Sequence, residues 1–191
     1  YAFYRSGIQI MNFAPTAELT QIGQYAMSES KLQQIVLPDC LKKIDYHAFE
    51  NCIELNSVVF GQNPLDIYGY AFYNTGLERV QLETNITYIG EYCFAYCKNL
   101  TDITVDAENS HYSSDHGILF NYSGTKLIQC PAGKTGSYLV PNKTEVLGFG
   151  AFEGSAMSAV QINDQSALNT IGYKAFYDCK NLTSIYIPAS V

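Results

Sequence analysis

With 191 residues, 47% of them apolar and 15% charged, the chain has the means to bury a core. That balance excludes disorder, which requires low hydrophobicity and high net charge. A net charge of −7, with eleven scattered Lys and Arg, excludes a nucleic-acid partner, and no apolar run reaches the 18 residues of a membrane span.

In chain order, one unit recurs from end to end. YAFYRSGIQIMNF (1–13) is a truncated copy, and IGQYAMSESKLQQIVL (22–37), IDYHAFENCIELNSVVF (44–60), IYGYAFYNTGLERVQL (67–82) and IGEYCFAYCKNLTDITV (89–105) follow. LGFGAFEGSAMSAVQI (147–162) and IGYKAFYDCKNLTSIYI (171–187) close the series. The column Phe3, Met27, Phe49, Phe72, Phe94, Phe152, Phe176 advances by 24, 22, 23, 22, 58 and 24 residues. All but one of these steps fit a unit of about 23, the mark of a solenoid whose turns each contribute part of a shared core.

Within a unit, L-x-x-I-x-I alternates as a short strand does, and A-F-x-x-C suits a brief 3₁₀ or α turn. Successive strands run the same way, so they predict a parallel sheet. Ser6-Gly7-Ile8, Thr75-Gly76-Leu77 and Ser155-Ala156-Met157 each lose one residue between turn and strand, and a smaller residue replaces the usual Cys. A shortened turn leaves less interior room, so the two changes belong together.

The long step predicts an insertion over about 106–136. GILF (117–120) and KLIQ (126–129), joined by the turn-rich NYSGT, read as a β-hairpin protruding from the solenoid, with KLIQ counted as a further rung and SYLVP (137–141) as the next. The whole of 1–191 is expected to be a single solenoid. It begins and ends inside a unit, which suggests a piece of a longer one whose signal and anchor lie outside.

Ile44, Ala48, Phe49, Cys52, Leu55, Val58 and Phe60, with their counterparts in the other copies, carry a resemblance to the BspA-like, or treponemal-type, leucine-rich repeats of bacterial surface proteins and some parasitic protozoa. The segment NSHYSSDHGILFNYSGTKLIQCPAGKTGSYLVP also resembles an insertion recurrent in that family. The commoner leucine-rich pattern places Asn or Cys shortly after the strand, where this chain has P-x-x-V. The resemblance covers essentially the whole chain. It implies a leucine-rich repeat solenoid with surface display, adhesion, and contact with host or bacterial surface and matrix proteins. It implies no catalytic residue and no cofactor.

Chemistry-bearing residues read blandly. Cys52, Cys97 and Cys179 share one inward slot; Cys52 and Cys97 are two rungs apart, roughly 9.6 Å, too far for a disulfide. Cys93 takes an alanine slot, and buried thiols are the reading for the set. His111, Asp115 and His116, near Asp106 and Glu108, match no zinc or calcium spacing, and Ser113 and Ser114 beside them follow no nucleophile elbow. Tyr25, Tyr70 and Tyr92, and Tyr4, Tyr73 and Tyr177, form two columns on the turn side, where a sugar-stacking platform competes with a simple covering role.

The strands supply the better site. With Leu and Ile inward, Asn12, Val36, Val59, Gln81, Thr104, Gln129, Leu139, Gln161 and Tyr186 point out onto the concave sheet, nine rungs in all. Only around Arg79, Gln81, Glu83, Asp102, Thr104 and Asp106 do neighbouring outward columns carry both signs of charge, so these residues form the candidate ligand-binding surface, with no metal site. Three functions remain open: a protein-binding adhesion module at the cell surface, a carbohydrate-binding module using the tyrosines or the hairpin, and a passive stalk displaying other domains.

Overall fold

The computed structural model describes residues 1–191. It is a parallel β-solenoid of about seven turns, without helices. Up to Val105 the chain supplies β1 (Ile10–Met11), β2 (Gln21–Ile22), β3 (Gln34–Val36), β4 (Lys43–Ile44), β5 (Ser57–Val59), β6 (Leu65–Ile67), β7 (Arg79–Leu82), β8 (Ile86–Ile89) and β9 (Asp102–Val105). Odd strands form the concave sheet, β1-β3-β5 and then β7-β9, and even strands form a second parallel ladder, β2-β4-β6-β8. That second ladder arises from the I-G step opening each unit. It was unforeseen, since strands of two to four residues per turn are too short to show a clear alternation.

Aromatic turns connect the second ladder to the concave one. Their amides alternate in use. In the coil from Ile22, the Ala26, Ser28 and Ser30 amides bond three residues back, while the Tyr25, Met27 and Glu29 amides cross to the carbonyls of Tyr46, Ala48 and Glu50 in the next coil. The same alternation recurs from His47 and from Tyr70. No 3₁₀ or α helix forms at these turns, and in these coils every second amide is committed to the neighbouring coil. The geometry requires left-handed backbone twice per turn, at Tyr25 and Glu29, His47 and Asn51, Tyr70 and Asn74, Tyr92 and Tyr96, with φ from 53° to 64°. Each such residue costs about 1–2 kcal/mol outside glycine. Ring stacking and inter-coil hydrogen bonds offset this.

The Phe column is the spine of the core. Phe49 and Phe72 stack at 5.0 Å between ring centroids, Phe72 and Phe94 at 5.6 Å, and Phe152 and Phe176 at 5.0 Å. The six cysteines are free thiols. Cys52, Cys97 and Cys179 each donate to the carbonyl of the Phe-column residue one coil back, namely Met27, Phe72 and Phe152, at 3.0, 3.1 and 2.9 Å. Where a coil is shortened, its hydroxyl meets the next coil's thiol: Ser30 with Cys52 at 3.5 Å, Thr75 with Cys97 at 3.1 Å. Ser30-Lys31-Leu32 is thus a further shortened unit, one the sequence reading passed over.

The insertion differs from expectation. β10 (Tyr112–Asp115), β11 (Ile118–Asn121) and β12 (Lys126–Gln129) form an antiparallel meander. The expected hairpin is present, but it does not protrude. Ile118, Leu119 and Phe120 are all buried; Leu119 packs into the core of 28 residues on one side, and Ile118 and Phe120 into the core of 14 on the other. β12 is not a concave rung. It pairs in parallel with β14 (Val146–Leu147), which pairs with β16 (Thr170–Ile171), in a separate sheet that takes the second ladder's place in the later coils. Gln129 is accordingly buried, with its amide on the Cys130 carbonyl at 3.0 Å. The concave sheet resumes with β13 (Ser137–Leu139) and β15 (Ala159–Gln161), followed by a bridge from Val160 to Ile185. It therefore has eight rungs rather than nine.

Candidate functional site

The β7–β9 register sets Arg79 opposite Asp102 and Gln81 opposite Thr104. Val80 and Ile103 between them point inward and are buried, which fixes the four side chains on the concave surface. Arg79, Val80, Gln81, Asp102 and Thr104 line one shallow groove. Gln81 donates to Glu83 at 2.8 Å, and Glu83 with Asp106 flanks the groove where the strands leave the sheet. The Asp106 carboxylate accepts the Glu108 amide at 2.8 Å, which turns it toward its own loop. Of the six candidates, four meet in the groove, Glu83 joins through Gln81, and Asp106 serves the turn.

Sequence reasoning missed Lys134. Its ammonium lies 3.3 Å from the Asp102 carboxylate, thirty-two positions away in the chain. The meander delivers two further groups. His116 and Gly117 are both left-handed, with φ of 49° and 75°, as a two-residue hairpin turn requires, and the Gly117 carbonyl accepts the Ile103 amide at 2.9 Å. The turn thereby caps the free edge of β9 and sets Gly117 against the Asp102 side chain, with His116 exposed in the turn. Tyr138 of β13 donates to Asp115 at 2.7 Å. The D-H-G tripeptide (115–117), whose glycine opens GILF, is the signal that this edge would be closed by a tight turn.

Charge is concentrated here. Burial alone would raise the Asp102 carboxyl, but the Thr101 hydroxyl and the charges of Lys134 and Arg79 together hold it below its usual value. Toward the N-terminal rungs the same surface is apolar, with Ile10, Val36 and Val59 at 60%, 66% and 52% exposure.

The first column of convex tyrosines is engaged ring on ring, whereas Tyr177 of the second is exposed. Tyr1, Tyr25, His47, Tyr70 and Tyr92 form a continuous stack with centroids 4.6–5.1 Å apart. A sugar needs a free ring face, and the interior rings of this stack offer only edges. His111, Asp115 and His116 form no cluster with a third ligating side chain.

A family profile for the BspA type leucine rich repeat region matches six copies across residues 20–136 and 134–191. Among solved structures, the chain is similar to the pneumococcal vaccine antigen PcpA, at 29% identity and a TM-score of 0.91 over 97% of this chain and 47% of that one. It also shares its fold with a leucine-rich repeat protein of Eubacterium ventriosum (23% identity, TM-score 0.74, 90% and 52% covered). A leucine rich cell surface protein of Faecalibacterium prausnitzii is a further fold relative (21%, 0.76, 89% and 52%). The chain spans about half the length of these solved relatives. No curated protein matches it.

Proposed function

The chain belongs to the BspA-type leucine-rich repeat family, and we propose that it is a non-enzymatic, cell-surface module that adheres to another protein through its concave sheet. The observation that carries this reading is the paired placement of Arg79 with Asp102 and Gln81 with Thr104 on adjacent outward rungs. Opposite charges held side by side on a rigid sheet select partners and accelerate encounter more than they add raw affinity. Concave solenoid faces commonly bind in this way, because each rung contributes one side chain to a continuous surface. The names of two fold relatives, a vaccine antigen and a cell surface protein, support display outside the cell. No helix is long and apolar enough to cross a membrane.

The partner class is a host or bacterial surface or matrix protein. The test is a binding panel of purified matrix and surface proteins against the immobilised chain, repeated with Arg79→Glu, Asp102→Lys and Tyr177→Ala. Arg79→Glu and Asp102→Lys should each weaken binding about tenfold or more, roughly the 1.4 kcal/mol that one charge contact supplies. Tyr177→Ala, on the convex side, should leave it unchanged. Loss in Tyr177→Ala alone overturns the concave reading, and an inert panel favours a stalk.

A further inference from the structure

The convex hydrogen-bond ladder stops at one place. The amides of Tyr92, Phe94 and Tyr96, whose counterparts in earlier coils cross to the next coil, have no backbone acceptor. The following coil, through Lys126 and Val140, carries no aromatic turn, so a layer is missing there. Side chains span the gap. The Tyr92 hydroxyl donates to the Tyr173 carbonyl at 3.1 Å, and the Tyr96 hydroxyl donates to the Asp178 carboxylate. The Gln129 amide reaches the Gly150 and Ala151 carbonyls at 3.4 and 3.5 Å. Gly150 makes room: with φ of 63°, it holds a position occupied elsewhere by Tyr, His or Lys, and a Cβ there would lie 2.4 Å from the Tyr92 ring.

Glu153 sits in this gap, its Oε2 3.0 Å from where that Cβ would be. The residue is 2% exposed, and Oε2 has no hydrogen-bond partner. Facing it are Tyr70, Tyr73, Tyr92 and Tyr96 from the preceding coils, and Lys174, Asp178 and Cys179 from the following one. An ionised carboxylate so placed is costly, whereas a protonated one is tolerated. Burial pushes its carboxyl above the usual carboxylate range, Lys174 and Tyr73 pull it back in part, and Asp178 adds to the rise.

We propose that Glu153 is a proton-operated latch across this interruption: the neutral acid stays seated among the tyrosines and holds the two stretches of solenoid together, and the ionised acid loosens them. Between the ordinary glutamate value near ~4.3 and the raised folded value, the folded chain binds more protons than the unfolded one. Stability contributed here is therefore full at low pH and lost as pH rises through the folded value. On the concave side the same interruption is where Lys134 meets Asp102, so loosening it would alter the spacing of that surface.

The test compares the intact chain with Glu153→Gln, a neutral isostere. Glu153→Gln should melt about 3 °C or more above the natural chain at pH 8, and the difference should vanish near pH 4.5. Hydrogen exchange at pH 7.5 should slow about tenfold in the variant at the Cys130, Gly150 and Ala156 amides and stay unchanged at Phe49 and Phe72. A melting difference independent of pH, or slowing spread evenly over all coils, would overturn the latch. Should the variant not fold, exchange of the natural chain between pH 5 and 7.5, corrected for intrinsic rates, decides the matter. Protection lost only around the gap supports the proposal, and uniform or absent loss refutes it.

Discussion

Phe72 and Phe94 lie face to face with ring centroids 5.6 Å apart and planes 11° from parallel, both fully buried. Phe94 is the last ring of its stack, because the next coil has no aromatic turn to receive it. Phe94→Ala removes the ring and leaves a cavity on whose inner side the Phe72 and Asn74 amides hold the Cys93 and Ala95 carbonyls in place. The expected cost is roughly 3–5 kcal/mol. Gln81→Ala, outward on the concave sheet, should stay within about 0.5 kcal/mol. Urea unfolding of both variants checks the strand register, since equal losses mean that the register is wrong.

The thiols make a second prediction. Cys52, Cys93, Cys97 and Cys130 are buried, whereas Cys40 and Cys179 are half-buried. Burial pushes Cys97 up to about 11 and Cys130 up to about 12, so neither forms the reactive thiolate near neutral pH. Maleimide labelling of the native chain, read by peptide mapping, should modify Cys40 and Cys179 alone. Denaturant should expose the remaining four. Labelling of Cys97 before Cys40 under native conditions would contradict the packing.

The two ladders differed in legibility for a physical reason. Leu32, Ile35, Leu55 and Val58 recur with strand alternation in every unit, so the concave sheet was readable residue by residue. The second ladder rests on strands of two to four residues, as short as Lys43–Ile44, where periodicity has little to repeat. KLIQ was misplaced because Ile128 and Cys130 flank Gln129 as the inward residues of a concave rung would, whereas Leu127 and Gln129 are the pair that faces inward. Its pairing with Val146 and Leu147 depends on where the meander returns the chain, which no local pattern encodes. Arg79, Gln81, Asp102 and Thr104 followed from alternation alone. Lys134 did not, since its approach to Asp102 depends on the fold of the whole insertion.

Gly150 marks the interruption most sharply. Its φ of 63° alone would cost an alanine about 1 kcal/mol, and the added Cβ would also displace the Tyr92 ring. At Gly154, with φ of 71°, the nearest ring atom is farther off, 3.1 Å away on Tyr96. Gly150→Ala should therefore lose about 2 kcal/mol or more and Gly154→Ala about 1 kcal/mol. Thermal unfolding of the two single variants measures the order. The reverse order would mean that Tyr92 moves aside freely and does not bridge to Tyr173.

Lys134 and Asp102 give the last prediction. The ammonium and carboxylate are 3.3 Å apart, with side chains 22% and 40% exposed, so solvent screens much of their attraction. Lys134→Met should thus cost less than about 1 kcal/mol near pH 7. The titration of Asp102 reads the pair more directly. The folded carboxyl is held below its usual value, so the stability it contributes is present above the unfolded value near ~3.9 and lost as pH falls through the folded one. Removing the ammonium takes away one of the groups that hold the carboxyl down, leaving the Thr101 hydroxyl and Arg79. The Asp102 midpoint, followed by carboxyl NMR, should move upward in Lys134→Met, and the stability gap between the two chains should close as pH falls through the folded Asp102 value. Added salt should shrink the same gap at pH 7, because exposed pairs are screened within about 10 Å at 0.1 M ionic strength. An Asp102 midpoint unmoved by the substitution would show that Lys134 points to solvent. The concave groove would then present Arg79 as the only cation near Asp102, and the charge pattern assigned to the adhesive surface would have to be redrawn around β7 and β9 alone.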